Sequence, residues 1–270
     1  AATKILFLES VGNPNMRLPD IAKIAAIAKT HGVVLMVDNT ITPLSVAPIT
    51  LGADIVVYST TKIITGNASA LGGAVIFRAI NEGDDKFKGD RYRDIHPFIQ
   101  KMGSMALIAV AKKRAMRDFG MSANGFGSYL TMLGLETLPL RLDRIVTTVE
   151  QVAKALHEKG FNVNHPCLAH HPHHERYVND FANGCGTLMS IDMGSKEAAF
   201  EFLNRSKLIT ITANIGDSRT LGLHMASTIY RDFDDETKSF LGITPGLIRI
   251  SIGLESAEAI IDDFVNAAKI

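Results

Sequence analysis

The chain has 270 residues, 46% of them hydrophobic, and its 28 Lys plus Arg are balanced by 28 Asp plus Glu. At about 150 residues per domain, that length fits one large or two modest domains with real cores, and the lack of a basic excess argues against nucleic acid or an anionic membrane surface as a partner. The longest apolar runs fall far short of the roughly 20 residues that span a bilayer, no signal-peptide pattern opens the chain, and two cysteines, Cys167 and Cys185, are too few for a disulfide framework; together these predict a cytoplasmic metabolic enzyme with no membrane partner.

In chain order, "KILFLE" (4–9) reads as a short buried strand and "VGNPN" as a turn punctuated by Asn and Pro. "LPDIAKIAAIAKTHG" places Leu18, Ile21, Ala22, Ala25 and Ala28 at helical steps, with Pro19 and Asp20 suited to a first turn and Gly32 to the stop. "VVLMVD" (33–38) and "DIVVY" (54–58) are nearly all apolar, as strands buried on both faces are, and "GGAVIF" (72–77) is a third candidate. Strand–helix–strand alternation predicts a mostly parallel sheet flanked by helices, an α/β fold. Residues 81–100 are polar and read as an irregular surface excursion, and 101–160 read as strongly helical. Beyond 160 short strands and helices mix ("GTLMSIDM", "EAAFEFLN", "ITITAN", "LIRISIGL", "AEAIIDDFVNAAK"). This pattern predicts a smaller α+β domain over 141–270, following a first domain over 1–140.

Ligands of parallel sheets bind beyond the carboxyl ends of the strands. Asp38 ends one strand and "STTK", Ser59 to Lys62, follows another, so both lie at that edge. Taken singly, a loop lysine is usually solvated and a strand-end Asp usually caps a turn. Taken together, they match the needs of pyridoxal 5'-phosphate: a lysine amine for its aldehyde, a carboxylate for its pyridine nitrogen, and hydroxyls such as those of Ser59 and Thr61 for its phosphate.

The run "LESVGNPNMRLPDIAKIAAIAKTHGVVLMVDNTITPLSVAPITLGADIVVYSTTKIITGNASALGGAVI" closely resembles the Cys/Met-metabolism family of pyridoxal-phosphate enzymes, and "GLETLPLR" (134–141), "ANIGD" (213–217), "HMAST" (224–228) and "PGLIRISIGLE" (245–255) are similar to further landmarks of it. The resemblance implies a fold-type-I pyridoxal-phosphate transferase architecture. It implies Lys62 as the catalytic Schiff-base lysine, Asp38 on the ring nitrogen, Asn13 on the phenolic oxygen, Ser59 and Thr61 on the phosphate, and Arg249 as the clamp for a substrate α-carboxylate, helped by Asn214. "LETLPLR" and "ANIGD" look most like the O-acetylhomoserine sulfhydrylase branch. That branch performs γ-replacement on an O-activated homoserine with a sulfur nucleophile, giving homocysteine for methionine biosynthesis. The form of the sulfur donor stays open: sulfide, a small thiol or a sulfur-carrier protein. Cystathionine γ-synthase and methionine γ-lyase chemistry are the nearest alternatives. The family also implies a homotetramer built as a dimer of dimers.

Two departures qualify the resemblance. The family's chains carry well over a hundred further N-terminal residues, which hold part of the phosphate site and the ring-stacking tyrosine, so a non-catalytic fragment or subunit is an alternative of another class. "HMASTIY" stands where relatives have H-P-A-S-x-T-H, and Met225, Ile229 and Tyr230 bear on substrate choice. The histidine-rich "NHPCLAHHPHHERY" could suggest a metal, but it is Pro-punctuated and the family has a similar turn there; no metal is expected.

Overall fold

The computed structural model describes residues 3–80, 84–181 and 183–268. Its first sheet has strand order β1 (Ile5–Glu9), β2 (Val34–Asp38), β3 (Ile55–Ser59), β4 (Gly73–Phe77). β1, β2 and β3 run parallel and β4 returns antiparallel. The expected helix spans Ile21–Thr30; the Asp20 carboxylate caps it by accepting the Lys23 N–H, and Gly32 follows with a positive φ of 59°. Its Ile21, Ala25 and Ala28 pack on Leu35, Val37 and Val56. Val34 and Ile55, alternating to the opposite face, meet Ile80, Phe87, Ala106 and Leu107. The central strands are thus covered on both sides, which is why they read as unbroken apolar runs.

Two expectations are corrected here. β1 forms where the sequence places it but is not buried: Ile5, Leu6 and Phe7 are exposed, as are Val75 and Ile76 of β4. Among the described residues no strand pairs with the outer edge of either. The supposed irregular excursion, of which residues 81–83 lie outside the described residues, is largely short helical turns, Asp85–Phe87 and Asp90–Ile95, followed by the helix His96–Met102. Phe87 is fully buried, so this segment is the lid of the lower core and not loose surface.

The helical region culminates in one long helix, Gly125–Glu158, capped by the Asn124 side chain. It runs through residue 140, and its Leu138, Leu142, Ile145, Val149, Val152 and Leu156 form a stripe alternating four and three apart. The stripe packs on the second sheet, ordered β5 (Asn162–Asn164), β6 (Leu188–Asp192), β9 (Leu247–Ser251), β8 (Leu221–His224), β7 (Thr210–Ile211). Helices Lys196–Arg205 and Ala257–Ala268 complete that core, with Phe202 edge-on to Phe264 at 5.3 Å. The sequence reading found β6, β7, β9 and both helices. It passed over β8, "LGLH", where Gly222 interrupts a four-residue run, and the helix Asp235–Leu241, whose first five residues, "DETKS", are all polar. Among the described residues no helix is long and apolar enough to cross a membrane.

Candidate active site

β1 and β2 end side by side, with Glu9 in register with Asp38, and Ser59 ends β3. The segment after β2 stitches these ends together. The Thr40 N–H donates to Asp38 Oδ1 (2.9 Å), and Thr40 Oγ1 accepts the Ser59 N–H (2.8 Å). A cavity of about 130 Å³ opens at this edge, lined by Asn13, Asp38, Ser59 and Lys62 together with Glu9 and Thr40. Four of the seven sequence-predicted site residues therefore share one wall. Asp38 Oδ2 has no hydrogen-bond partner among the described residues.

Lys62 sits in a single wide turn, Thr60–Ile64, with backbone angles outside the helical range (φ −85°, ψ −130°). Such a turn leaves carbonyls without helical partners, and a distant residue supplies donors. Arg141, from the long helix, donates to Ile63 O (2.7 Å), Ile64 O (2.9 Å) and its own helix's Gly134 O (2.7 Å). Gly134 is where the helix meets the turn; a Cβ there would stand 2.3 Å from Ile64 O. On the other side the Ser218 N–H donates to Gly66 O (2.7 Å). Gly216, at φ +68°, approaches so closely that a Cβ would lie 2.7 Å from Ile63 N. The landmarks "GLETLPLR" and "ANIGD" thus act as two jaws on the lysine turn. Gly216→Ala is expected to cost at least about 1–2 kcal/mol for the left-handed backbone alone and to push Asn214 off Lys62. Denaturant unfolding measures the first effect; a pKa of Lys62 unchanged by NMR titration would refute the second.

The 212–218 loop brings Asn214 to the lysine: Lys62 Nζ donates to Asn214 Oδ1 at 2.6 Å. Arg249, on β9, lies beyond it, donating through Nη2 to Ala213 O (3.0 Å) and Asn214 O (3.2 Å) and through Nη1 to Asn13 Oδ1 (3.5 Å). Arg249 is 3% exposed, its Nε has no partner, and no carboxylate pairs with it among the described residues. Burial lowers its pKa to about 10. Burial, and then the charge of Arg249, lower that of Lys62. Both shifts have the same sense, since a dry site disfavours a cation and a second cation disfavours it further. Glu9 shifts upward, first by burial and less by Asp38, against the Asn13 N–H it accepts.

Two predicted residues occupy other positions than expected. The Thr61 hydroxyl faces Gly72, whose N–H it accepts at 3.0 Å, and does not line the cavity. Asn214 uses its side chain on Lys62, and only its backbone meets Arg249. The donor set nevertheless fits pyridoxal phosphate: an amine held at lowered basicity, a carboxylate on the same wall, and a buried guanidinium lacking a counter-charge. The model of one family, Cys/Met metabolism PLP-dependent enzyme, matches residues 1–269. The chain belongs to this family.

The family's cofactor is pyridoxal phosphate, and its fold-type-I architecture is seen directly in a solved relative. The chain superimposes with a TM-score of 0.86 on a Campylobacter jejuni structure assigned as an O-acetylhomoserine (thiol)-lyase, which carries a pyridoxyl-lysine monophosphate. The two share 32% identity, over 99% of this chain and 66% of that one. Among curated relatives, O-acetyl-L-homoserine sulfhydrylase 1 of Thermus thermophilus is 34% identical, covering 95% of this chain and 63% of its own length. Cystathionine gamma-lyase of Bacillus subtilis is also 34% identical, covering 98% of this chain and 64% of its own. The chain thus spans just under two thirds of the length of these curated relatives.

Sequence reasoning missed three residues at this edge: Thr40 and Glu9, which line the cavity, and Tyr230, which contacts Asn13. Thr40 is legible afterwards in "VDNT", as the hydroxyl two residues past Asp38. Glu9 could have been found from its register at the end of β1. Tyr230, whose hydroxyl donates to Asn13 O at 3.3 Å, carried only the signal of a departure from the family pattern. The histidine segment is structural in its contacts: His165 is buried with Nε2 3.3 Å from Cys185 Sγ and Nδ1 accepting the Cys167 N–H, and burial drives its pKa down to about 3. Among the described residues no group of three or more His, Cys, Asp or Glu is placed to hold a metal.

Proposed function

We propose that this chain carries the catalytic lysine face of a γ-replacement enzyme that joins a sulfur nucleophile to O-acetylhomoserine, giving homocysteine. The observation that carries the reading is the Lys62–Asn214–Arg249 cluster, with Lys62 lining the same cavity as Asp38. Burying a guanidinium without a counter-charge costs several kcal/mol, and a ligand carboxylate would remove that cost through bidentate pairing. Bound pyridoxal phosphate supplies an electron sink joined to the substrate's Cα. The remaining work falls to the chain's own groups. Arg249 holds the α-carboxylate, which fixes Cα beside Lys62. Lys62, neutral at lower pH than a free lysine, takes the Cα proton, hands it on, and takes one from Cβ; after acetate has left from Cγ and sulfur has added there, protons return through the same amine to Cβ and to Cα. Asn214 aims the amine between these positions. Asp38 pairs with the pyridine nitrogen, Asn13 with the phenolic oxygen and Ser59 with the phosphate, while Thr61 supports the turn through Gly72.

The "ANIGD" loop and the name of the Thermus relative support the sulfhydrylase reading; the Bacillus relative supports a second one, γ-elimination. Assays of the protein with O-acetylhomoserine plus sulfide, O-acetylhomoserine plus cysteine, and methionine alone separate them. Homocysteine from the first is the expected dominant product, and 2-oxobutyrate from methionine as the dominant product would overturn the reading. The division into domains 1–140 and 141–270 is kept as a proposal, with the long helix joining them. Phe119, Phe126, Met132 and Leu140 are exposed in the helical region, as is Leu71 beside β4. An apolar surface of that extent suits coverage by a second subunit, in accord with a homo-oligomer.

A further inference from the structure

Lined in part by the 224–231 segment is a second cavity, of about 790 Å³, within the range of small-molecule sites and sharing no lining residue with the cavity at Lys62. Its walls are β8's end, the helix Asp235–Leu241 and the return to β9. Lys196, Arg231 and Lys238 line it against one carboxylate, Asp235. Lys196 sits 5.4 Å over the Phe200 ring, and no carboxylate pairs with it among the described residues. Arg231 pairs with Asp232 at 3.1 Å, and Lys238 lies 4.0 Å from Asp235, so both retain donors for a ligand. Apolar residues also line it, Ala226, Ile243 and Pro245, and Ile243 belongs to a small cluster with Leu223, Met225 and Leu247, separate from the main core. His224 is not a ligand group here, because its ring nitrogens are taken by Ser227 Oγ and Pro245 O, each at 2.7 Å. Beside it the buried Thr244 hydroxyl has no partner, one of two buried side-chain polar atoms without one among the described residues.

We propose that this cavity is a binding site for a small monocarboxylate with a short apolar tail, distinct from the candidate active site. The cations take the carboxylate and the Ile243 side takes the tail. The segment forming its wall also carries Tyr230, which belongs in part to the same apolar cluster and whose hydroxyl reaches Asn13 O. A ligand filling the cavity would therefore hold that tyrosine against the catalytic edge, a consequence that rests on the functional reading above, whereas the binding does not.

Saturation-transfer NMR on the full chain with hexanoate, hexylamine and inorganic phosphate as probes tests it. Hexanoate is expected to bind saturably and at least tenfold more tightly than either of the others. The double variant Lys196→Met, Lys238→Met should weaken it at least tenfold, and Ser239→Trp, which fills the cavity from an exposed position, should do the same if the double variant folds poorly. Equal binding of hexylamine or phosphate, or binding unaffected by whichever of these variants retains the native circular dichroism spectrum, would overturn the proposal. So would loss of binding in Arg249→Leu but not in the cavity variants, because the carboxylate would then be in the candidate active site.

Discussion

Replacing Lys62 with Ala is expected to abolish attachment of pyridoxal phosphate and to lower turnover by at least about 10²–10⁴, the range for losing one positioned acid–base group. Borohydride treatment of the protein with the cofactor should fix a pyridoxyl group to Lys62, detectable by peptide mass spectrometry, and none to the variant. The environment gives the experiment a second arm. Burial and Arg249 both hold the Lys62 pKa below that of a free lysine, so its amine is neutral, and reactive toward an aldehyde, at lower pH than solvent lysines are. Removing the neighbouring positive charge in Arg249→Leu must raise that pKa, and the pH at which the adduct forms should move upward. Adduct formation at a surface lysine, with Lys62 unmodified, would place the cofactor elsewhere and remove the basis of the functional reading. Absence of any adduct or visible absorbance from the wild-type chain would favour the non-catalytic alternative.

The largest expected stability loss lies at the opposite end of the same strand. Asp54, fully buried where β3 begins, accepts from Arg78 Nε (2.5 Å), Lys86 Nζ (2.6 Å) and the Leu35 N–H (2.8 Å), while Arg78 also reaches Asp84 (2.6 Å). One carboxylate thus ties β2, the chain after β4 and the 84–86 turn together. Asp54→Ala would leave Lys86 buried and unpaired and the Leu35 N–H without an acceptor. Breaking a buried pair by removing one partner costs about 3–5 kcal/mol, a large share of the 5–15 kcal/mol that holds a typical protein folded. Chemical denaturation followed by circular dichroism measures it. A loss under about 1 kcal/mol would mean that water reaches these cations. Because Asp54 is remote from the cavity, whatever fraction of the variant folds should still take the cofactor at Lys62.

The two halves of the candidate site differ in how far they could be read in advance. Asp38 and Lys62 were legible because each follows a strand buried on both faces, and a parallel sheet puts the ends of such strands at one edge. The helix at Ile21–Thr30 and the strands flanking it follow from apolar spacing, with Pro19 and Asp20 marking its start and Gly32 its stop. The exposure of β1 was not legible, because an apolar run shows that a strand is suited to burial, not whether anything covers it. Nor was the use of Thr61: three adjacent hydroxyls look alike in sequence, and only the return of Gly72 beside the turn draws one of them out of the cavity. Alternation along "LIRISIG" put Arg249 opposite three isoleucines, which in sequence fits a solvated arginine equally well. The packing of β9 between two layers is what buries it.

By itself, then, the sequence determined the local chemistry of this protein: the strands of the first sheet, which residues stand at their carboxyl ends, and the family to which the motifs point. The tertiary structure decided the partners of that chemistry. Asn214 meets Lys62, Arg141 and Gly134 hold the lysine turn, and Arg249 is buried against backbone carbonyls through contacts between segments far apart in the chain, and the periodicity of any one segment carries no information about which distant segment will pack against it.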